Sequence, residues 1–139
     1  NSGYLYNKKK LRGEKRLWVA ICMYMIETGG KYHICCLDDP KGMVHYSFVI
    51  PYCKKFSFMQ KKDYLLGPCF TRADCRGQHI YPNMLMHISK EILEVTPDAD
   101  IYILIREENL ESLKGIAKTD FELIGKCTKT KILKHYKFC

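Results

Sequence analysis

The sequence lacks most of the signatures that give chemistry away at a glance. None of its eight cysteines stands in a C-x-x-C pair, so a zinc ribbon fails on spacing. No apolar run reaches the roughly 20 residues that a helix needs to cross a bilayer. The start of the chain alternates charge and tyrosine and has no signal-peptide pattern. A cytoplasmic location is therefore the default expectation, with the cysteines as buried, reduced thiols rather than disulfides or metal ligands. Repeats, low-complexity tracts and linkers are also missing, so residues 1–139 are expected to form a single domain with its own core. The first residue is Asn1 rather than Met, which leaves room for an upstream segment. Negative charge is scarce: 15 Asp and Glu face 23 Lys and Arg, for a net charge of +8. Much of the excess lies in KKKLRGEKR, residues 8–16. Such a cluster attracts phosphate on nucleic acid, a nucleotide cofactor or a lipid headgroup. Residues 1–16 also read as a mobile, solvated basic edge, and no RNA-binding signature accompanies them.

What is present is an ordered alternation of elements. RLWVAICMYMIE, residues 16–27, is long, apolar and rich in strand formers, and predicts a first strand. Gly29-Gly30 marks a turn, and KYHICCL follows as a second strand. DDPKG makes a strong turn, and the alternating MVHYSFVI makes a third strand. These three suit an antiparallel meander. Residues 51–63 form a connector, because Pro51 argues against a central strand. YLLGPCFT, residues 64–71, is the fourth strand, and its Gly67-Pro68 step predicts a bulge or an edge. Beyond a loop, Ile80, Met84, Ile88 and Ile92 recur at four-residue spacing along one helical face, with Pro82 in the first turn. The apolar block 101–105 predicts a strand covered on both faces. Strand, helix and strand then make a right-handed unit with its two strands parallel. Asn109 is a good N-cap for a second helix, and FELIGKC and KILKHYKF read as a closing antiparallel pair. The fold expected is α/β (α+β): a mixed, mostly antiparallel sheet of about seven strands, with a central parallel pair and two helices.

The stretch RADCRGQHIYPNML, residues 72–85, carries the chemistry. A strand that ends in a glycine turn and opens a helix exposes unpaired N–H groups, which bind anions together with the helix dipole. Gly77 permits the sharp bend, and Arg76 adds a cation.

Arg76, Gly77, Gln78, His79, Ile80 and Tyr81, between a strand and a helix, resemble the pyrophosphate loop of the GNAT superfamily of N-acetyltransferases, whose pattern is Arg/Gln-x-x-Gly-x-Gly/Ala. Asn109, Ser112, Lys118, Phe121 and Gly125 resemble the same family's second signature. The likeness covers residues 64–138, and GQHIYP is similar to the RGKGIYP loop of a small bacterial subgroup associated with surface polysaccharide synthesis. The resemblance implies an acetyl-CoA-dependent N-acetyltransferase acting on a small primary amine, with an amino sugar as one candidate acceptor. It implies that the pantetheine arm pairs with backbone groups of Cys69, Phe70 and Thr71. It places the pyrophosphate on the amides between Gly77 and Tyr81, and Asn109 and Ser112 beside the arm. Direct transfer needs alignment of the reactants and polarisation of the carbonyl.

The chain departs from that pattern at named positions. His79 and Tyr81 replace the loop's small residues, Asp120 replaces the glycine before Phe121, and Ile116 stands where many members have a tyrosine that acts as general acid. The first half is short for the usual pair of helices. Acceptor-binding elements are therefore expected to be reduced, or supplied by a second copy in a homodimer. Glu107 and Glu108 are the candidate general bases at the end of the fifth strand, where acids also suit the first turn of a helix. His45 is a further candidate, although an outward-facing, solvated strand histidine is the plainer reading. Tyr81 is the candidate proton donor, with core packing as its alternative. Cys69 has no neighbouring base to make it a nucleophile. Two other functions stay open. One is a non-catalytic acyl-CoA-binding module, which Ile116 permits. The other, a basic nucleic-acid-binding protein, is the least expected, and no metal is expected.

Overall fold

The computed structural model describes residues 15–129 and 136–138. Among them, three helices and six strands form a mixed α/β fold. The order is α1 (Lys15–Thr28), β1 (His33–Asp39), β2 (Gly42–Pro51), β3 (Tyr64–Thr71), α2 (Ile80–Val95), β4 (Ile101–Ile103), α3 (Leu110–Ile116), β5 (Cys127–Lys129) and β6 (Tyr136–Phe138). Strands β1 to β4 make one sheet in sequence order, and β5 pairs with β6 as a separate antiparallel ribbon. The β1–β2 and β2–β3 pairs are antiparallel, and β3–β4 is parallel.

The first predicted strand is a helix. In a run that is apolar throughout, periodicity is hidden, and length decides: twelve residues are long for a strand and ordinary for a helix. The face that packs carries Ile21, Tyr24 and Thr28, at helical spacing, while Ile26 is 84% exposed. The glycine pair is the helix stop. Gly29 and Gly30 have φ of 62° and 80°, and the Gly30 N–H donates to the Met25 carbonyl at 3.1 Å. That six-to-one bond with a left-handed glycine is the Schellman ending. Among the described residues the main sheet therefore has four strands rather than about seven, there are three helices rather than two, and the parallel pair lies at the edge rather than the centre.

The turn, β3 and α2 lie where the sequence puts them. The Lys41 N–H donates to Asp39 Oδ1 at 2.9 Å, closing the β1–β2 hairpin. Helix α2 buries Leu85 and Ile88, with Tyr81, Met84 and Ile92 beside them, so its stripe is centred one residue from the expected one. Strand β4 is shorter than the 101–105 block. It lies at the edge of the sheet with its residues half-buried, and Leu104 beyond it is exposed. The predicted closing strand FELIGKC is irregular over residues 121–126 and enters β5 only at Cys127. Most of the basic cluster at residues 8–16 lies outside the described residues, as does the first part of KILKHYKF.

The sheet is covered on both faces. On one side Tyr46, Phe48, Ile50 and Leu65 meet Tyr24 of α1 and three residues of the connector, Cys53, Phe56 and Met59. On the other side Cys35, Val49 and Leu66 meet Leu85 and Ile88 of α2. The alternation along β2 is strict, as a pleated strand buried on both faces requires. In β3 it is shifted by the bulge. Ser47 pairs with Cys69 and Val49 with Leu66, so Gly67 and Pro68 together oppose Phe48. The extra residue reverses the parity, and Leu66 and Cys69 share the α2 face although three positions separate them. Gly67 takes φ of 123°, which a side chain would resist.

Asp63 fixes the parallel pair at its start. It is 1% exposed. One carboxylate oxygen accepts the Gln60 N–H at 2.7 Å and the other accepts the Asp100 N–H at 3.1 Å. The Tyr64 N–H in turn donates to the Asp100 carbonyl at 3.0 Å. Among the described residues no helix is long and apolar enough to cross a membrane. Asp63→Asn is expected to lower stability by about 1–3 kcal/mol, because an amide accepts at one position only and turns an N–H toward another N–H. Urea unfolding with an unchanged m-value measures it; a midpoint equal to that of the parent chain would remove Asp63 from this role.

Candidate functional site

The parallel strands part early. Tyr64, Leu65 and Leu66 pair with Ile101, Tyr102 and Ile103, and residues 67–71 of β3 pair only with β2. The side of β3 facing β4 is therefore an unpaired edge from the bulge onward. The Arg72 N–H donates to the Val44 carbonyl of β2 at 2.8 Å. Because backbone groups alternate in direction along a strand, those of Thr71 and Cys69 point the other way, toward the opening. The Thr71 carbonyl confirms this direction, since it accepts Arg76 Nε at 2.9 Å.

The loop beyond this edge presents a row of N–H groups. A one-turn 3₁₀ helix spans Ala73–Cys75, and residues 76–79 are exposed up to the first residue of α2. Among the described residues the N–H groups of Gly77, Gln78 and His79 donate to no acceptor, and the first amides of α2 have no partner within the helix. Gly77 has φ of 75° and His79 has φ of 61°, the one side-chain-bearing residue in the left-handed region among those described. His79 thus takes a backbone conformation that favours glycine. Histidine is among the residues that tolerate this conformation best, at a cost of roughly 1 kcal/mol. The Arg76 guanidinium lies 5.9 Å from the centre of the Phe70 ring. Its side chain thus folds over the end of β3, at the mouth of the opening.

Tyr81 connects the loop to α3. A Cβ on Gly115 would stand 2.5 Å from Tyr81 Cδ1, so the ring lies directly against the one residue of α3 that leaves it room. Burial raises the Tyr81 hydroxyl above its ordinary pKa; the nearby Cys69 thiol acts in the same direction, and the Ser112 hydroxyl beside it opposes them. Tyr81 therefore stays protonated at physiological pH. The Asn109 side chain caps α3 by accepting the Ser112 N–H at 3.2 Å, as its sequence position predicts. Burial also pushes the Cys69 thiol up to about 12, against the influence of Ser47, which leaves a thiol rather than a thiolate.

His45 is not the solvated strand residue expected from sequence. It is fully buried, with Nδ1 2.7 Å from Thr71 Oγ1 and Nε2 2.7 Å from Ser47 Oγ. The strand is covered on both faces, so outward on β2 means under α2; the Tyr81 ring centre is 6.2 Å from that of His45. The two hydroxyls explain how a polar ring sits in the core. They were readable as alternating Ser47 and Thr71 positions only once the bulge parity was known. Glu107 and Glu108 are exposed in the turn after β4. A hydrogen bond from Lys126 at 2.6 Å holds the Glu107 carboxyl below its ordinary pKa. The structure thus brings Cys69, Thr71, His45, Tyr81 and Ser112 together beneath the loop, whereas Glu107 is turned to Lys126 and Glu108 is exposed in the turn after β4. Among the described residues no group of three His, Cys, Asp or Glu could hold a metal ion, and Cys22 is exposed rather than buried.

No protein-family model matches the chain, and no curated protein is similar to it. Among solved structures, an aminoglycoside 6'-N-acetyltransferase in complex with coenzyme A is similar at 13% identity and a TM-score of 0.41. The overlap covers 66% of this chain and 57% of that enzyme, so less than two thirds of its length is represented.

Two outcomes are expected here. Burial holds the His45 pKa down at about 4, against 6.5 for a free ring. The unfolded chain therefore binds the proton first, and stability falls as pH drops from about 6.5 toward 4, by at most roughly 3 kcal/mol, and is flat above that window. Denaturant unfolding across this range measures the slope, which His45→Gln should abolish. His79→Gly should relieve the left-handed backbone and raise stability by up to about 1 kcal/mol; a loss in thermal unfolding would contradict the geometry.

Proposed function

We propose that the chain is an acetyl-CoA-dependent N-acetyltransferase of the GNAT type, transferring an acetyl group directly to a primary amine of a small molecule. The observation that carries this reading is one juxtaposition. An unpaired strand edge at Cys69 and Thr71 runs into a loop whose N–H groups at Gly77, Gln78 and His79 lack acceptors. An extended amide-bearing arm that ends in a pyrophosphate complements both features at once: strand-like hydrogen bonds along the edge, and anion binding at the loop. Backbone groups of Cys69 and Thr71 would take the arm, whereas those of Phe70, expected from sequence to join them, face β2 instead. The amides of Gly77, Gln78, His79, Ile80 and Tyr81 would take the pyrophosphate, with the Arg76 guanidinium beside them. Asn109 and Ser112 would flank the arm from α3.

In the reaction the amine nitrogen attacks the thioester carbonyl carbon. A C–N bond forms, the C–S bond breaks, the amine gives up a proton and the departing thiolate receives one. Tyr81 is assigned the second proton on its position between the end of β3 and α3, where its hydroxyl is protonated; the raised pKa rules it out as the base and makes it a weak acid. Glu107 and Glu108 are assigned to accept the first, directly or through water, with Glu108 ahead because the Lys126 hydrogen bond weakens Glu107 as a base. The acceptor class follows only from the resemblance, and an amino sugar is the first to try. Ile116 packs among the apolar residues on the α2 side, which favours a second reading, an acyl-CoA-binding module without turnover.

Calorimetry with acetyl-CoA, followed by thiol release in the presence of amino sugars and simple amines, decides between these. The expected result is binding and turnover, with Tyr81→Phe lowering kcat about 100-fold while the KM for acetyl-CoA changes little. Binding without turnover across the panel favours the second reading. An absence of binding at millimolar acetyl-CoA rejects both.

A further inference from the structure

The loop has little to hold it in place. Residues 73, 74 and 76–79 are exposed and the 3₁₀ turn buries no side chain. Its own hydrogen bonds are short-range: the Cys75 N–H donates to the Arg72 carbonyl at 2.9 Å, and Gln78 Nε2 to the Asp74 carbonyl at 3.4 Å. Arg76 ties it to the end of β3 through the Thr71 carbonyl, and what ties it to the β1–β2 hairpin is Arg72. The Asp39 carboxylate, from the β1–β2 turn, takes Nη1 at 3.0 Å and Nη2 at 2.6 Å in a fork-to-fork pair. Asp74 Oδ1 takes Nε at 2.6 Å, the Met43 carbonyl takes Nη1 at 3.4 Å, and Cys75 Sγ takes Nη2 at 3.3 Å. A guanidinium has five N–H groups in a rigid fork, and these contacts use that full capacity. Arg72 therefore has nothing left for a ligand, although it adjoins the loop that contains Arg76. Asp39 is anchored in turn by the Lys41 N–H at 2.9 Å.

We propose that Asp39, through Arg72, is a positioning residue for pyrophosphate binding: the ion pair latches the hairpin turn to the base of the loop and holds the amides of Gly77, Gln78 and His79 in line with the open edge of β3. The proposal rests on the reading of that loop as the pyrophosphate site. Its consequence has a distinctive sign. Removing a carboxylate near a polyanion site should tighten anion binding by electrostatics alone. The latch demands the opposite, because losing Asp39 frees the segment whose order the ligand needs. The pair is half-buried at the surface and outside both core clusters, so its loss should leave the fold intact.

The test compares the parent chain with Asp39→Asn and Asp39→Glu. Acetyl-CoA affinity is measured by calorimetry, kcat by thiol release, and backbone order of residues 73–79 by ¹⁵N relaxation without ligand. Asp39→Asn is expected to weaken acetyl-CoA binding about tenfold at unchanged kcat, and to lower the order parameters of the loop. Asp39→Glu, which keeps the charge, should recover part of both. Tighter or equal affinity with a loop as rigid as in the parent chain would overturn the latch. Should the parent chain bind no acetyl-CoA, the functional reading fails, and the latch is still judged by relaxation alone: a loosened loop sustains it and an unchanged loop rejects it. If Asp39→Asn does not fold, Arg72→Lys, which keeps the charge and loses the fork, gives the same readouts.

Discussion

The bulge at Gly67 and Pro68 is the constraint on which the rest of the molecule depends. Two residues of β3 stand against Phe48 alone. That single extra residue decides which side chains of the second half of β3 face α2 and which face α1. Without it, Phe70 would turn toward His45 and Ser47, and Cys69 and Thr71 toward Tyr46. The aromatic stack of Tyr46 and Phe70, with ring centres 5.6 Å apart, and the hydroxyl partners of His45 exist because the parity is reversed there. The bulge also bends β3 away at the point where its ladder with β4 stops. Core, polar network and cleft share one origin in the backbone.

From that point outward, the site is assembled from pairs of complementary choices. A bulky Tyr81 is matched by a glycine at 115, so the ring can bridge α2 and α3. A histidine in the core is matched by two hydroxyls, and among the described residues no buried side-chain nitrogen or oxygen lacks a partner. Two arginines four positions apart do different work. Arg72 is saturated by acceptors, two of them carboxylates that raise its pKa, and its guanidinium holds Asp39 down at about 2, whereas Arg76 lies over Phe70 near solvent.

The sequence disclosed the elements whose signals are local. The Asp39–Gly42 turn, the Gly67-Pro68 break, the Pro82 helix start and the Asn109 cap each depend on residues within one turn of chain, and each is found where it was expected. The helix α1 was not legible, since a run apolar on every side carries no period, and its glycine stop reads equally well as a hairpin turn. His45, Asp63 and Arg72 were misjudged or missed for another reason. Their partners, Thr71, Asp100 and Asp39, lie 26 to 37 residues away. No spacing rule links such residues until the register is known. The loop itself was visible through Arg76 and Gly77, whereas the left-handed backbone at His79 was not, because nothing in a histidine announces it.

The parallel ladder is three residues long and is secured at one end by Asp63. In terms of local opening, β4 has the shortest ladder in the sheet, and short edge ladders open at a lower free energy than the whole fold. The cleft and the loosest strand are thus the same piece of the molecule. A ligand lying along β3 completes an interrupted sheet, and whatever occupies that gap is coupled by mass action to the order of β4 and of the chain that follows it.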